Sequence, residues 1–242
     1  MFITVAELSR YWKISPSGVL HVGAHLAEEA LDYEKYRWTP VIWIEAQPNL
    51  VQELNLRLDV KRHKVIEAAI WDEDNVELKL HVASSSQSTS LLDFGSHLEL
   101  YPDISFISEI DVSTKRLDSV IEPHEMPNFI NLDIQGVELA AIRSLGNLLL
   151  SVDYIYTEVN KNEVYKGGTL VADLDSYLMT HGFKRVATRW YFKEGWGDAL
   201  YIRKTKFDTR SLLRKFTWSL FTSKFYLRQL ASSCKKYLLA MK

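Results

Sequence analysis

The chain alternates short apolar runs with stretches in which apolar residues recur every three or four positions. The runs 18–23 (GVLHVG), 41–45 (VIWIE), 65–70 (VIEAAI), 128–133 (NFINLD) and 153–159 (DYIYTEV) are rich in Val, Ile and Tyr. Their near-continuous apolar character predicts strands covered on both faces, as in a parallel sheet. Segments 4–13, 26–37, 48–60, 137–149 and 170–181 carry helical spacing. Pro48 stands where a helix's first turn accepts proline, and Gly182 where a helix end favours glycine. Such alternation predicts a doubly wound α/β domain with a mostly parallel sheet of about seven strands. The last two runs, 184–192 and 198–203, flank Gly195 and Gly197 and predict a hairpin, which closes the sheet with an antiparallel strand.

Residues 76 to 114 break the rhythm. "VELKLHVA" alternates like a half-exposed strand, "SSSQSTS" predicts a flexible polar loop, and "DVSTKRL" alternates again. Together they predict extra strands and a loop inserted after the third strand. The C-terminal segment 206–242 predicts a separate amphipathic helical extension beyond a domain spanning 1–205. Asp208 suits a helix cap. Leu213, Phe216, Leu220, Leu227, Ala231, Cys234, Leu238 and Met241 fall on one stripe, while Arg210, Lys224, Arg228 and Lys235 share another face with Trp218, Phe221 and Phe225.

Composition narrows the class. At 242 residues, 47% hydrophobic and 25% charged, the chain suits one generous soluble domain with an appendage. The lone Cys234 excludes an intramolecular disulfide, and no Cys/His cluster has zinc spacing. A cytoplasmic, reducing setting is the expectation. The N-terminus lacks a signal-peptide pattern, and no run approaches the ~18 apolar residues of a membrane span. The net charge of −2 conceals an asymmetry: Arg203–Lys242 holds eleven Lys/Arg against the single acid Asp208. An acidic body with a basic appendix argues against a nucleic-acid-binding protein. The tail has three candidate roles: packing on its own acidic body, binding an anionic membrane surface at the cytoplasmic face, or meeting a partner enzyme or a second copy of itself.

The candidate chemistry begins at "VLHVGAHLAEEA", residues 19–30, where a buried strand meets Gly23 and a charged pattern follows. In a doubly wound fold this first turn holds the nucleotide part of a cofactor. The dinucleotide pattern G-x-G-x-x-G is missing, which disfavours NAD. A ligand with a ribose and an amino-acid end, but no phosphate, needs less of the turn; S-adenosylmethionine is one. Glu45 ends the next strand, where a carboxylate can accept both ribose hydroxyls. At the exit of the third strand, Ala69, Ile70 and Trp71 are candidates to face a flat adenine ring, Trp71 equally a core residue.

From here the residues resemble a family. "HVGAHLAEE", "WIEAQP", "AAIWDED", "STSLL", "KRLDSVI", "INLDIQGVELAAIRSLG" and "YIYTEVNKNEVYKGG" stand in the order found in FkbM-like S-adenosylmethionine-dependent methyltransferases. The resemblance covers residues 19 to about 203, and its most specific piece, "NLDIQGVELAAI", is similar to the family's Lys-Ile-Asp-Val-Glu-Gly-Ala-Glu run. The family commonly has Asp where His21 stands, Asn near His25, a further Gly near Ala27 and Glu where Gln135 stands. The resemblance implies a class I, Rossmann-like methyltransferase fold and S-adenosylmethionine as cofactor. His21, Gly23, Ala24, His25, Glu45, Ala46, Ala69, Ile70 and Asp133 are then the expected cofactor contacts. The implied acceptor is a hydroxyl on a sugar, glycolipid or secondary metabolite.

Methyl transfer from a sulfonium is an in-line displacement in which alignment supplies much of the acceleration. A hydroxyl acceptor benefits from a base. Asp133, ending "INLD", leads the candidates, followed by Glu158 and His21. His21 has three readings: a site contact, a packed core histidine, or a metal ligand. His25 is expected at the start of a helix, near the ligand carboxylate. Glu138 falls in a first helical turn, where it can act on the helix dipole. Asp133 and Glu158 together could hold a divalent cation, but no resident metal is expected. Gln135, Asn160, Tyr165 and Lys166 are the expected acceptor contacts, with "SSSQSTS" as a lid or a solvated loop. The alternative class is a non-catalytic nucleotide-fold subunit that binds a partner through its tail.

Overall fold

The computed structural model describes residues 1–191, 194–206, 214 and 217–223. Among the described residues ten strands are formed: β1 (Val19–Val22), β2 (Val41–Glu45), β3 (His63–Glu67), β4 (Ala69–Ile70), β5 (Glu77–Ala83), β6 (Phe106–Lys115), β7 (Phe129–Leu132), β8 (Tyr154–Asn160), β9 (Phe183–Trp190) and β10 (Trp196–Arg203). Seven of them make one sheet in the order β3-β2-β1-β7-β8-β10-β9. The first five in that order run parallel, and β10 is antiparallel to both β8 and β9. The expected hairpin thus closes the sheet, with its second strand inserted beside β8.

Each central strand feeds two cores. Leu20 and Val22 of β1, with Ile42 and Ile44 of β2, pack under helices Glu138–Ser144 and Val171–Thr180. Val19, Val41 and Trp43 pack on the opposite face with Tyr33, Trp38 and the N-terminal segment. This two-sided burial is what a continuous apolar run dictates, since every side chain of a period-two strand meets a covered face.

The third strand departs from expectation. Rather than one strand over 65–70, β3 ends at Glu67, and β4 leaves the main sheet to pair in parallel with β6. With β5 antiparallel to β6, this makes a second, three-stranded sheet from the inserted region. Ala68 and Ala69 at the junction are small and buried, so the chain can switch sheets without opening a void. "SSSQSTS" is tied down rather than left as a free loop. Ser86–Ser88 forms a 3-10 turn, Ser90 bridges to His81, and Ser90 Oγ donates to the Gln135 carbonyl at 2.7 Å.

Several helices are shorter than their apolar spacing implies. The helix expected over 26–37 spans Ala30–Lys35. His25 and Ala27 stand in left-handed conformations, at φ 46° and 52°, and break the helical path. The segment 4–13 is one α-turn, Val5–Glu7, continued by a π-helix over Leu8–Trp12. The helix expected over 137–149 is Glu138–Ser144 followed by a 3-10 segment over Gly146–Ser151.

The described part of the tail packs on the body. Trp218 is 4% exposed, edge-on to Tyr11 at 5.8 Å and 5.0 Å from the Arg189 guanidinium, while Leu220 is 52% exposed. The expected stripe is inverted at this turn: Trp218, placed on the basic face, lies inside, and Leu220 lies outside. The large indole covers the Arg189–Glu7 ion pair (2.8 Å), a surface that a leucine would cover less well. Asp208, Leu213, Phe216, Phe225, Leu227 and the residues beyond lie outside the described residues, as does Arg210.

Gly23 holds the sheet's centre together. Its φ is 85°, and a Cβ there would fall 1.9 Å from the Asp133 carbonyl oxygen. Gly167, also at positive φ (69°), has nothing within 4 Å of its Cβ position. Gly167→Ala is therefore expected to cost about 1 kcal/mol through backbone strain alone. Gly23→Ala, which adds a backbone collision, is expected to cost about 3 kcal/mol or more. Urea unfolding of both variants checks the difference, and equal losses would contradict it.

Candidate active site

β1 and β7 are neighbours in the sheet, but the chain leaves them in opposite directions, toward β2 and β3 on one side and β8 on the other. In an open α/β sheet such a switch point opens a crevice beyond the carboxyl ends of the strands. A cleft of about 590 Å³ lies there. That volume is within the range of small-molecule sites.

The β2 side of the cleft is built around one acid. Glu45 is 7% exposed, and each carboxylate oxygen accepts a main-chain hydrogen bond at 2.9 Å, Oε1 from Gln47 N–H and Oε2 from His25 N–H. Burial raises its pKa, and these main-chain donors oppose the rise by favouring the ionised form. Gly23 and Ala24 both donate to the Ile44 carbonyl at 2.9 Å, so the turn after β1 is pinned to the end of β2. The necessity for glycine at 23 comes from the approach of the Asp133 main chain rather than of a ligand. Ala46, Ala68, Ala69 and Ile70 complete this side of the lining.

The histidines divide. His21 is 3% exposed, tilted against Trp43 with ring centroids 4.8 Å apart, and lies 3.3 Å from the Tyr33 hydroxyl and from the Asn131 amide. Burial lowers its pKa to about 4, so the ring is neutral near pH 7. It reaches the cleft wall but sits in an aromatic and amide nest, the packed-histidine arrangement. His25 is not at a helix N-terminus. Its ring bridges Glu28 Oε1 (2.6 Å) and Ser86 Oγ (2.7 Å), joining the first turn to the serine loop. Glu28 and Ser86 are also cleft residues.

The β7–β8–β10 side carries three acids. Asp133 follows β7, Glu158 is in β8, and Asp198 of β10 pairs in register with Glu158. Asp133 is open to the cleft although protein surrounds it. Burial and the nearby Asp198 charge raise its carboxyl to about 6. Its Oδ1 accepts from Gln135 Nε2 at 2.6 Å, and its Oδ2 accepts no hydrogen bond from the described residues. Both Glu158 oxygens accept, from Asn160 Nδ2 at 3.0 Å and Gln135 Nε2 at 3.1 Å. Burial, then the Asp133 and Glu138 charges, holds the Glu158 pKa well above the usual carboxylate range. Of the two expected catalytic carboxylates, only Asp133 therefore presents a free oxygen.

The expected acceptor contacts are redistributed. Gln135 lines the cleft, but both amide hydrogens are committed to Asp133 and Glu158. Asn160 is buried behind Glu158, which it holds in place. Tyr165 is 1% exposed and donates to Gln135 Oε1, so it is core rather than sugar-facing. Lys166 is exposed beside Asp93, at 3.7 Å, away from the cleft lining. None of these three lines the cleft: Asn160 and Tyr165 are buried, and Lys166 stands at the exposed surface. Glu138 is fully buried and caps its own turn, accepting from Gly136 N–H at 3.0 Å.

Ser88, from the "SSSQSTS" loop expected at the rim, lines the cleft. The wall is completed by residues that the sequence did not single out: Phe2, Tyr101 and Trp196 supply aromatic surface, and His97 and Asp198 polar groups. An acid within the apolar run "GDALYI" was a signal for Asp198, since an unpaired buried carboxylate is costly. Phe2 and Tyr101 had none, because they reach the cleft from distant segments. Among the described residues no group of three or more His, Cys, Asp or Glu could hold a metal ion. Among them too, no helix is long and apolar enough to cross a membrane.

A sheet of this strand order, with an antiparallel strand inserted next to its edge and a cleft at the β1/β7 switch point, is the class I methyltransferase fold. The sequence matches the methyltransferase FkbM domain over residues 21–185, and the chain belongs to that family. No curated protein matches it. Among solved structures it is similar to a Streptococcus pneumoniae protein with a proposed tRNA (m1A22) methyltransferase activity, at 15% identity and TM-score 0.49, covering 96% of this chain and 86% of that one. It is also similar to M. capricolum TrmK in complex with S-adenosyl-homocysteine, at 10% identity and TM-score 0.44, covering 86% and 72%. Magnesium protoporphyrin IX methyltransferase from Synechocystis PCC 6803, with bound SAM, matches at 9% identity and TM-score 0.40, covering 77% and 69%.

The raised Asp133 pKa fixes the sign of a pH effect. The folded protein holds that proton more tightly than the unfolded chain, so ionisation costs stability as pH rises from the ordinary value of 3.8 through about 6. Asp133→Asn is expected to raise the melting temperature relative to wild type at about pH 7.5, and to raise it less at about pH 4.5. Scanning calorimetry at the two pH values checks this; an equal difference at both contradicts it.

Proposed function

We propose that this protein transfers the methyl group of S-adenosylmethionine to a hydroxyl of a sugar, glycolipid or secondary metabolite. The observation that carries the cofactor is Glu45. Its two oxygens are held in one orientation by main-chain donors, and each keeps a second lone pair. The vicinal hydroxyls of a ribose can donate to them. Ala68 and Ala69 leave room beside Ile70 for a flat base, and the main-chain turn at Gly23 and Ala24 borders the amino-acid end. When bound, the cofactor supplies an electrophilic methyl on a positively charged sulfur.

The chain's own part is to align, to exclude water and to take a proton. Asp133 has the free oxygen, at the end of the strand beside the cofactor turn. A carboxyl with a pKa near 6 is ionised near neutral pH and remains a better proton acceptor than an ordinary aspartate. Phe2, Tyr101 and Trp196 line the same cleft as these acids. Aromatic faces beside carboxylates suit a polyhydroxylated acceptor, whose C–H faces pack on rings while its hydroxyls donate to acids. This pairing supports a hydroxyl acceptor. The basic segment after residue 205 supports an anionic membrane surface as the site of action, with the acidic domain held at the cytoplasmic face.

Isothermal titration with S-adenosylhomocysteine is expected to show one site. Glu45→Ala, which removes two charge-assisted contacts of roughly 1.5–3 kcal/mol each, is expected to weaken it at least tenfold. Wild-type affinity in that variant would reject the cofactor placement. A chain truncated after Ser223 keeps the Trp218 packing; it is expected to bind S-adenosylhomocysteine as before and to lose co-sedimentation with anionic vesicles. Unchanged vesicle binding would reject the membrane reading.

A further inference from the structure

Two carboxyl groups converge on one neutral group. The Gln135 amide nitrogen has two hydrogens. It gives one to Asp133 Oδ1 at 2.6 Å and the other to Glu158 Oε2 at 3.1 Å. The amide oxygen accepts from the Tyr165 hydroxyl at 2.7 Å. That hydroxyl lies 3.4 Å from the Ser88 carbonyl, so Gln135 is much the nearer acceptor. The amide therefore has a defined orientation, with nitrogen toward the acids and oxygen toward the phenol. Turned over, it would set its oxygen against two carboxyl groups.

The main chain is committed to the same end. Gln135 has φ 55°, a left-handed conformation that residues other than glycine rarely adopt. Ser90 Oγ holds its carbonyl at 2.7 Å, and the following Gly136 N–H is held by Glu138 Oε1 at 3.0 Å. Backbone held in so sparse a region costs of order 1–3 kcal/mol and persists where the surroundings over-determine it. Here three elements do so: the serine loop, the turn into helix Glu138–Ser144, and the segment after β8.

We infer that Gln135 is the positioning residue for the Asp133 base: it anchors Oδ1, leaves Oδ2 open to the cleft, and is itself oriented by Tyr165. The inference rests on Asp133 acting as the base in the proposed transfer. A single neutral donor serves where a charged one would not. A carboxylate at 135 has no hydrogen to give and would add a further acid to the cluster. A lysine would neutralise the base it is meant to orient. The charged groups facing Asp133 are Asp198 from β10, Glu29 before helix Ala30–Lys35, Glu158 and Glu138 on their own elements, and the Met1 amine. Burial and Asp198 push the Asp133 carboxyl up, and the Gln135 bond opposes them.

The test is a pH titration of ¹³C-labelled aspartate and glutamate carboxyls in the full chain, followed by NMR. Gln135→Met keeps the side-chain length and removes both donors. It is expected to move the Asp133 midpoint up by about one pH unit, the equivalent of one hydrogen bond to an ionised group. Gln135→Glu is expected to move it further. Tyr165→Phe leaves the apolar core intact and is expected to give a smaller shift in the same direction, which keeps the test available should either Gln135 variant fail to fold. A purely structural Gln135 would lower stability without moving that midpoint. A midpoint unmoved in Gln135→Met, or in Tyr165→Phe when that variant alone folds, overturns the inference. The titration needs no cofactor. Failure of wild-type protein to bind S-adenosylhomocysteine would thus strike the transfer reading while the shifted midpoint still stood.

Discussion

The turn after β1 and the turn after β7 meet at one atom. The Asp133 carbonyl oxygen fills the space where any residue but glycine would place its Cβ at position 23. That contact brings two neighbouring parallel strands to a common end and sends the chain away from it on both sides. Everything chemical in the molecule is arranged about this point. On the β2 side Glu45 waits with its oxygens fixed; on the β8 side stand the acids. The strand register puts the two strand ends level, Val22 opposite Leu132.

The site concentrates negative charge, and the fold manages it group by group. Glu45 receives two main-chain donors, the arrangement that favours an ionised carboxylate. Glu158 is held between two side-chain amides, which do not offset its burial and its acidic neighbours. Glu138, buried with one oxygen unpartnered, has its pKa raised to about 7 by burial. Asp133 combines a raised pKa with an oxygen that accepts no hydrogen bond from the described residues. Burial raises the pKa of all four, and the hydrogen-bond donors that each receives oppose the rise.

The body and the described turn of the tail are joined through the same N-terminal segment that borders the cleft. Arg189 donates to the Phe2 carbonyl at 2.7 Å and pairs with Glu7, and Trp218 of the tail covers its guanidinium. Phe2 in turn lines the cleft, where its N–H donates to Asp198. The described turn of the tail is therefore part of the scaffold behind this side of the cleft.

The order of strands and helices, Glu45 at the end of β2 and Asp133 at the end of β7 were all legible in the sequence. Each depends on neighbours within a few residues, so period, apolar continuity and strand ends suffice to place them. The family's motifs, spaced along one chain, were legible for the same reason. Tertiary structure alone decided that Asp198 faces Glu158, that Tyr165 and Asn160 turn into the core, that Trp71's neighbours switch sheets and that His25 lies in a strained turn. It also decided that Trp218, not Leu220, is the inward residue of the tail. These outcomes depend on what distant segments bring to within a few ångströms, and a one-dimensional pattern carries no record of which surface a side chain will meet.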